Sequence, residues 1–334
     1  MARRVRLGLI GCGGFMHEHV RRVEGVKRAQ IVALAEPSDA SLQRITTAYP
    51  ALADVPTFSD HREMLAAADI DGAIISSPHS FHFQQIMDCL DAGVNALCEK
   101  PMVCNVDQAK KVMRKAERKG LLLMTAYQRH TMPIFRHARK LIADGKLGRV
   151  IFVSALLAQE WLVACKGTWR QDPDLSCGGE LNDSGSHMID IILWATGLAA
   201  DSVFARIDNR GAKVDILSAL TVRFKGGAIG NLSVVGDAPG WWEEITFYGE
   251  RGALYIRGGR LYHHVPRKGR GWAGAEMADL SNKLKGGSNP DANFVGAILG
   301  LEEPQTPAVC GLRVAEVTQA AWDSARLGQP VKVK

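Results

Sequence analysis

The chain has 334 residues, 46% of them hydrophobic, and carries a formal net charge of +6. This length allows two domains with hydrophobic cores, and no apolar run approaches the roughly 18 residues that a membrane-spanning helix needs, so no membrane partner is expected. The positive charge is dispersed without a basic stripe between aromatic residues, which argues against nucleic acid as a partner.

The sequence contains neither a targeting segment nor a metal-binding pattern. After Arg3 and Arg4 the chain enters its first predicted strand without an apolar signal region, so we expect a cytoplasmic protein. The seven cysteines include no C-x-x-C pair, so no zinc site is indicated and no metal is expected.

The first predicted elements have the order of a nucleotide-binding turn. The apolar run Val5–Ile10 is typical of a buried parallel strand, and three of the next four residues are glycines. Glycine there lets the backbone turn tightly and approach a pyrophosphate closely, while the following helix, roughly 15–25, directs free N–H groups and its positive dipole end at the phosphates. The residues expected to bind a cofactor here are Gly11, Gly13, Gly14, Phe15 and Met16.

A carboxylate after the second predicted strand favours NAD over NADP. The run Ile31–Ala35 ends in Glu36, which can accept hydrogen bonds from a ribose diol and would repel a 2′-phosphate. No Arg or Lys occurs in residues 37–40. Met16 occupies the third small position of G-x-G-x-x-G/A, so a glycine turn that binds nothing is the alternative.

Helix and strand patterns then alternate to about residue 125, which predicts an α/β domain with a doubly wound parallel sheet over residues 1–128. Asp60 and Asn105 are predicted helix N-caps, and Gly120 a helix end. Ligands of such sheets bind beyond the carboxyl ends of the strands. The residues that follow strands at this edge are Ser77, Pro78, Glu99, Lys100 and Gln128.

From about Arg149 the chain changes to strands separated by glycine turns. This pattern predicts an α+β domain with an open, mainly antiparallel sheet over residues 129–310. Residues 311–334 are predicted to form a C-terminal helix and tail. The stretch 266–287, rich in Gly, Lys and Arg, is predicted to be a mobile excursion.

One face of this second sheet is expected to lack covering helices, so we predict a homodimer or homotetramer. Candidates for its apolar layer are Val222, Phe224, Leu232 and Val234. Alternation alone leaves open which set of side chains faces outward.

The densest group of reactive side chains lies between Gly178 and Asp190. If a helix begins near Asp183, then Asp183, His187 and Asp190 share one face. A carboxylate orients a neighbouring imidazole and stabilises its charged form, which suits proton transfer. The alternative is a capping Asp183 with a structural His187.

The chain as a whole resembles the glucose-fructose oxidoreductase, inositol dehydrogenase and MocA family. The motifs that carry the resemblance are the glycine loop, Glu99-Lys100-Pro101, the G-G-x-L-x-D-x-G-x-H-x-x-D segment that starts at Gly178, and the final stretch 324–329. The resemblance implies an N-terminal Rossmann domain, a nicotinamide cofactor, and a C-terminal domain with an open sheet for substrate binding and oligomerisation.

The resemblance also implies roles for individual residues. Lys100, Asp183 and His187 would form the catalytic group and contact the substrate, and the Lys100-Pro101 bond is expected to be cis. His82 would lie near the cofactor. Trp169 and Arg170 would lie near nicotinamide and substrate. Arg129 is placed to face the cleft, although a surface salt bridge is the alternative for either arginine.

The implied reaction is hydride transfer between nicotinamide and a carbinol carbon of a sugar, cyclitol or sugar derivative. His187 would exchange the hydroxyl proton, Asp183 would orient His187, and Lys100 would stabilise the developing alkoxide. Two alternatives stay open. One is an NAD-retaining glycosidase that works by transient ring oxidation and elimination, and the other is a redox-inactive nucleotide-binding regulator.

Overall fold

The structure is a computed structural model that describes residues 3–267, 271–284 and 286–334. The chain forms two compact units. The first contains the described residues up to Gln128 together with Ser288–Leu312, and the second contains the described residues of Arg129–Gly287 and Arg313–Lys334.

Helices and strands are numbered in chain order. Up to Gln128 they are β1 (Val5–Ile10), α1 (Met16–Glu24), β2 (Ala29–Ala35), α2 (Asp39–Ala48), β3 (Thr57–Phe58), α3 (His61–Ala67), β4 (Gly72–Ile75), α4 (His79–Asp91), β5 (Asn95–Cys98), α5 (Val106–Lys119) and β6 (Leu123–Thr125). From Arg129 to Gly287 they are α6 (Pro133–Ala143), β7 (Val150–Ala158), α7 (Trp161–Ala164), α8 (Pro173–Ser176), α9 (Ser184–Thr196), β8 (Ala200–Asp208), β9 (Leu217–Phe224), β10 (Ile229–Val235), β11 (Trp242–Gly249), β12 (Gly252–Arg257), β13 (Arg260–Arg267) and β14 (Gly271–Asp279). The last are α10 (Pro290–Ile298), α11 (Val309–Leu327) and β15 (Val331–Lys332).

The first unit is built on a six-stranded sheet in the order β3-β2-β1-β4-β5-β6, in which neighbouring strands are parallel. Successive side chains of a strand enter opposite faces, so Leu7 and Leu9 join one core cluster and Ile10 joins the other. Helix α10 contributes Phe294 and Val295 to the cluster that contains Leu7. The predicted doubly wound parallel sheet is confirmed.

Capping residues lie at helix ends of this unit that the sequence predicted. A side-chain oxygen of Asp60 accepts a hydrogen bond from the N–H of Arg62, at 2.8 Å, at the start of α3. Asn105 accepts a hydrogen bond from the N–H of Gln108, at 2.9 Å, at the start of α5, and Gly120, with φ +64°, follows the last residue of that helix.

The second unit is built on a nine-stranded sheet in the order β14-β13-β12-β11-β7-β10-β9-β8-β15. Strands β7 and β10 are parallel, and the other pairs are antiparallel, as the sequence predicted for most of this sheet. Helix α9 packs against α6 and β7. In the described part of the chain, no helix combines the length and apolarity needed to cross a membrane.

The four candidates for the apolar layer of this sheet, Val222, Phe224, Leu232 and Val234, are all at most 2% exposed. They therefore lie on the buried face, a choice that alternation of side chains alone left open. The prediction of a mobile excursion over 266–287 is wrong for the strand residues of this stretch, which contains all of β14 and the end of β13, paired antiparallel. Residues 268–270 and 285 lie outside the described residues.

Candidate functional site

The glycine loop after β1 has the geometry of an anion cradle. Gly11 has φ +82°, and a Cβ there would lie 2.8 Å from the backbone nitrogen of Ser77, so only glycine fits. A Cβ on Gly13 or Gly14 would meet no atom within 4 Å, which leaves open space in front of the loop.

The start of α1 offers hydrogen-bond donors to that open space. In the described part of the chain, the N–H groups of Gly13, Gly14 and Phe15 donate no hydrogen bond to protein atoms. Unsatisfied N–H groups at a helix N-terminus favour a bound anion, so the loop fits the pyrophosphate of a dinucleotide. Phe15 is 40% exposed, whereas the side chain of Met16 is fully buried in the core. Met16 therefore fills the core, and only its backbone lies at the cradle.

Glu36 is held against this loop. Its Oε2 accepts a hydrogen bond from the N–H of Cys12 at 2.6 Å, and its Oε1 accepts one from the N–H of Ser38 at 2.9 Å. Burial, together with the negative charge of Glu36, raises the pKa of the Cys12 thiol to about 12. The carboxylate thus stands beside the glycine turn, at the place where an adenosine ribose would lie relative to a bound pyrophosphate.

The ends of β4 and β5 are joined through His82, which is fully buried. Its Nε2 lies 2.9 Å from the carbonyl oxygen of Ser77, and its Nδ1 lies 2.9 Å from that of Pro101. Burial lowers the pKa of His82, although both carbonyls favour ring protonation. Because both ring nitrogens contact the backbone, His82 fixes the two strand ends. Ser77 also donates from its hydroxyl to Gln85 Oε1 at 2.6 Å.

The Glu99-Lys100-Pro101 segment follows β5 and contains the cis Lys100-Pro101 bond that was predicted. Glu99 is 6% exposed, and its Oε2 accepts the backbone N–H of Lys100 at 3.0 Å. Its Oε1 lies 3.2 Å from Nε2 of His19, a residue of α1. Gln128, after β6, opens a 3-10 turn at the last position of this part of the unit.

In the second unit, Asp183 precedes the first residue of α9 and is 4% exposed. Its side chain makes no capping hydrogen bond. Instead, Oδ2 accepts hydrogen bonds from Nε1 of Trp161 at 2.9 Å and from Nε of Arg170 at 3.0 Å. His187 lies one turn further along α9 and is half-buried. Asp183, held from two sides, thus stands one turn before His187 in the chain.

The Trp169-Arg170 pair lies in a 3-10 turn. The guanidinium carbon of Arg170 stands 4.5 Å from the centre of the Trp169 ring, a cation–π distance, while its Nε donates to Asp183. Arg170 therefore contacts both the Trp169 ring and the Asp183 carboxylate. No sequence pattern indicates a role for Trp161, which precedes Asp183 by 22 residues.

Two other predicted residues of the second unit, Arg129 and Asp190, pair with side chains outside the Asp183 group. Arg129 is buried and forms a bidentate ion pair with Glu243, with an Nη2 to Oε2 distance of 2.9 Å. Asp190 lies 2.7 Å from Nε2 of His130, and burial raises its pKa despite that histidine. Asp190 thus supports His130 rather than adding to the Asp183 group.

The turn before Asp183 contains a further carboxyl group, for which the sequence predicts no role. Glu180 is fully buried, and within the described residues neither of its oxygens has a hydrogen-bond partner. Burial, with the negative charges of Asp183 and Asp215, raises its pKa to about 9. Asp215 accepts the N–H groups of Gly179 and Leu181, both at 2.8 Å, and so fixes this turn.

Comparison with known proteins identifies relatives of both units. The family described as "Oxidoreductase family, NAD-binding Rossmann fold" matches residues 5–127, and the "GFO/IDH/MocA C-terminal domain" matches residues 135–255. The rhizopine catabolism protein MocA of Rhizobium meliloti is 30% identical over 199 residues, 58% of each chain. The D-xylose 1-dehydrogenase (NADP(+)) of Hypocrea jecorina is 38% identical over 128 residues, 37% of this chain and 32% of that protein.

The match therefore spans less than two thirds of the length of these curated relatives. Among solved structures, the WlbA dehydrogenase from Bordetella pertussis in complex with NADH and UDP-GlcNAcA has a TM-score of 0.84 at 23% identity. That similarity covers 100% of this chain and 99% of the other, and at this identity it establishes the fold. With both of its domains matched in order, the chain belongs to the Gfo/Idh/MocA oxidoreductase family.

Proposed function

We propose that the protein is an NAD-dependent oxidoreductase that transfers a hydride between nicotinamide and a carbinol carbon of a sugar, cyclitol or sugar derivative. The observation that carries this proposal is the cradle formed by the N–H groups of Gly13, Gly14 and Phe15 beside the Glu36 carboxylate. Family membership supports the reaction class. D-xylose and UDP-GlcNAcA, named for two relatives, support the substrate class.

Residues of the first unit would hold the cofactor. The glycine loop would bind the pyrophosphate, Phe15 would cover it, and Glu36 would accept hydrogen bonds from the ribose hydroxyls. Glu36 would also repel a 2′-phosphate, which favours NAD over NADP. Relatives include both kinds, because one is named for NADP(+) and another was solved with NADH.

Bound NAD would supply the hydride acceptor at nicotinamide C4. In the oxidative direction, a ring nitrogen of His187 would accept the hydroxyl proton of the substrate. Asp183, held by Trp161 and Arg170, would keep the imidazole in position and stabilise its charged form. The Lys100 ammonium would donate a hydrogen bond to the reacting oxygen and stabilise the charge that develops on it.

A substrate screen tests the reaction. Purified protein is mixed with NAD or NADH and a panel of polyols, aldoses and glycosides, and absorbance of NADH is followed, while the cofactor retained by the protein is identified by mass after denaturation. The proposal expects net NADH formation or consumption with at least one polyol or sugar. Cleavage of a glycoside without net NADH turnover would establish the glycosidase alternative. Cofactor binding without either reaction across the panel would favour the regulator.

Cofactor preference has a separate test at Glu36. Ser38 caps α2 by accepting the N–H of Ser41, so an added arginine is better placed at the exposed Pro37. Glu36→Ser with Pro37→Arg removes the repulsion and adds a phosphate partner, so the ratio of the NADPH to NADH dissociation constants should fall at least about tenfold. Tryptophan fluorescence titration measures both constants. Tighter binding of NADPH by the wild type would contradict the assignment of NAD.

A further inference from the structure

The first unit contains a buried cluster of four charged side chains next to Lys100, which we call the His19 cluster: His19, Arg22, Glu99 and Asp291. His19 and Asp291 are fully buried, and Glu99 is 6% exposed. The His19 ring spans two carboxylates, with Nδ1 2.6 Å from Asp291 Oδ1 and Nε2 3.2 Å from Glu99 Oε1. The cluster joins α1, the end of β5 and α10.

The charges of this cluster favour a doubly protonated His19. Burial alone would lower the pKa of His19, but Asp291 and Glu99 raise it to about 10. Burial alone would raise the pKa of Glu99, but His19 and then Lys100 hold it below its usual range. The fourth charged side chain of the cluster is Arg22. Its Nη1 lies 3.5 Å from Asp291 Oδ2, and its Nε donates to Glu18.

The two carboxylate oxygens of Glu99 contact different partners. Oε1 faces the ring of His19, and Oε2 accepts the backbone N–H of Lys100 at 3.0 Å. Asp291 bonds the opposite nitrogen of the ring and so fixes its orientation. His19 also touches the cofactor loop, because the Phe15 ring meets it edge-on with centroids 5.6 Å apart.

We infer that His19 is a positioning residue for Lys100: its ring donates to Glu99 and holds that carboxylate in the orientation in which it also binds the Lys100 backbone. This inference rests on the proposed function, in which Lys100 contacts the reacting oxygen. Without the donor on Nε2, Glu99 would have a buried oxygen with no compensating proton. The carboxylate would then take up a proton or turn towards the Lys100 ammonium, and the lysine would lose its placement.

Two substitutions separate this role from helix packing. The amide nitrogen of asparagine reaches about as far as Nδ1 of histidine, and that of glutamine about as far as Nε2. His19→Asn therefore keeps the bond to Asp291 and removes the donor to Glu99, whereas His19→Gln does the opposite. We expect His19→Asn to lower kcat roughly 10- to 100-fold with KM little changed, because displacement of a reacting group costs about that much. His19→Gln should lose much less. His17→Gln, on the same helix, is the matched control.

The pH profile gives a readout that a packing role would not change. In His19→Asn, burial would raise the pKa of Glu99 without opposition from the imidazolium, so protonation of Glu99 should add a second ionisation on the acid side. The acid limb of log(kcat/KM) should steepen from a slope of one to a slope of two. The double variant with Glu99→Gln should return to a slope of one.

An equal loss of kcat in His19→Asn and His19→Gln would overturn the inference. So would losses of kcat that parallel the loss of thermal stability across the variants. A second measurement needs no substrate: histidines are labelled with ¹⁵N, and the His19 ring is assigned by its absence in His19→Gln. At about pH 8 this ring should be doubly protonated, since its pKa is about 10. A ring without a proton on Nε2 would also overturn the inference, because it could not donate to Glu99. Absence of any wild-type turnover, with a protonated His19, would instead count against the proposed function.

Discussion

At the scale of single residues, the hydrogen bonds to Asp183 bear on its proposed role beside His187. Two donors on one oxygen, from Trp161 and Arg170, fix the carboxylate without the backbone N–H groups of the helix. Such a fixed carboxylate stabilises an imidazolium better than a mobile one, because no reorganisation accompanies proton uptake. In the proposed mechanism this imidazolium would be that of His187.

Removal of that imidazole should affect chemistry rather than binding. His187→Ala should reduce kcat about 10²- to 10⁴-fold, the usual contribution of general acid–base catalysis, while the NADH dissociation constant stays near the wild-type value. Steady-state kinetics and fluorescence titration measure the two quantities. His137→Ala, on α6 of the same unit, is the control. A His187→Ala enzyme with unchanged kcat and pH profile would assign the proton to Lys100.

Glu180 should make stability depend on pH. Its pKa is about 9 in the folded protein, above its value of 4.5 in the unfolded chain, because burial, Asp183 and Asp215 oppose ionisation. The unfolded state loses the proton first, so the free energy of unfolding should fall between pH 4.5 and about 9. Glu180→Gln should remove this fall. Urea unfolding should then show the variant to be more stable than the wild type at alkaline pH, with little difference at acid pH.

The exposed Glu24 provides the matched control for that experiment, since Glu24→Gln changes the same charge at the surface. Its unfolding curves should follow those of the wild type at both pH values. A Glu180→Gln protein that is less stable than the wild type at alkaline pH would mean that the carboxylate is ionised in the fold and has a partner there.

Individual residues of the candidate site differ in how well sequence could predict them. Gly11, Glu36 and Lys100 follow strands, and strand ends can be inferred from local patterns. The partners of His19 are 80 and 272 residues away in the chain, so no local pattern connects them. Long-range side-chain contacts of this kind depend on how the elements pack, and they become visible only in the structure.

At the scale of elements, the glycine loop and the turn before α9 use glycine for opposite reasons. Gly13 borders open space, whereas a Cβ on Gly179 would lie 1.9 Å from the carbonyl oxygen of Asp215. We expect Gly13→Ala to keep the wild-type unfolding free energy and weaken NADH binding, because the methyl group would occupy the place of the pyrophosphate. Gly179→Ala should lower the unfolding free energy by roughly 1–3 kcal/mol.

Chemical denaturation and fluorescence titration, performed on both variants, distinguish these outcomes. Wild-type NADH affinity in Gly13→Ala would show that the cofactor does not approach this part of the loop. Wild-type stability in Gly179→Ala would show that the turn held by Asp215 can shift without cost.

Secondary structure was predictable where periodicity and caps agree, as for α3 and α5. Which face of the second sheet is buried could not be predicted, because both alternating sets of side chains contain apolar residues. The sequence also did not predict β14, because this strand is rich in glycine and alanine, which are poor strand formers, although it pairs with β13.

At the scale of the whole molecule, the chain leaves the first unit at Gln128 and contributes to it again with Ser288–Leu312. Helix α10 in this returning segment supplies Phe294 to the core and Asp291 to the His19 cluster. The first unit is therefore completed only after most of the second has been synthesised. A fragment that ends near residue 128 would lack these contacts, which a sequence-based division of the chain does not reveal.

The face of the second sheet opposite to Val222 and Leu232 carries an apolar row across three strands. Ile229 on β10, Phe152 on β7 and Tyr248 on β11 are register neighbours. Ile229 is 45% exposed and Tyr248 is 37% exposed. Contiguous exposed apolar side chains on a sheet are typical of a protein–protein contact, and a second copy of the chain is the partner that the predicted homo-oligomer requires.

Charge placed in this row should therefore dissociate the oligomer. Two lysines introduced by Ile229→Lys and Tyr248→Lys would each be buried and opposed by like charges in a symmetric contact, so the variant should be a folded monomer at micromolar concentration, measured by light scattering. Leu327→Lys, at the end of α11 and also exposed, should leave the mass unchanged. A wild-type monomer would refute the oligomer itself. An oligomeric double variant would instead locate the contact on a different surface, because two buried like-charged pairs could not be tolerated on this one.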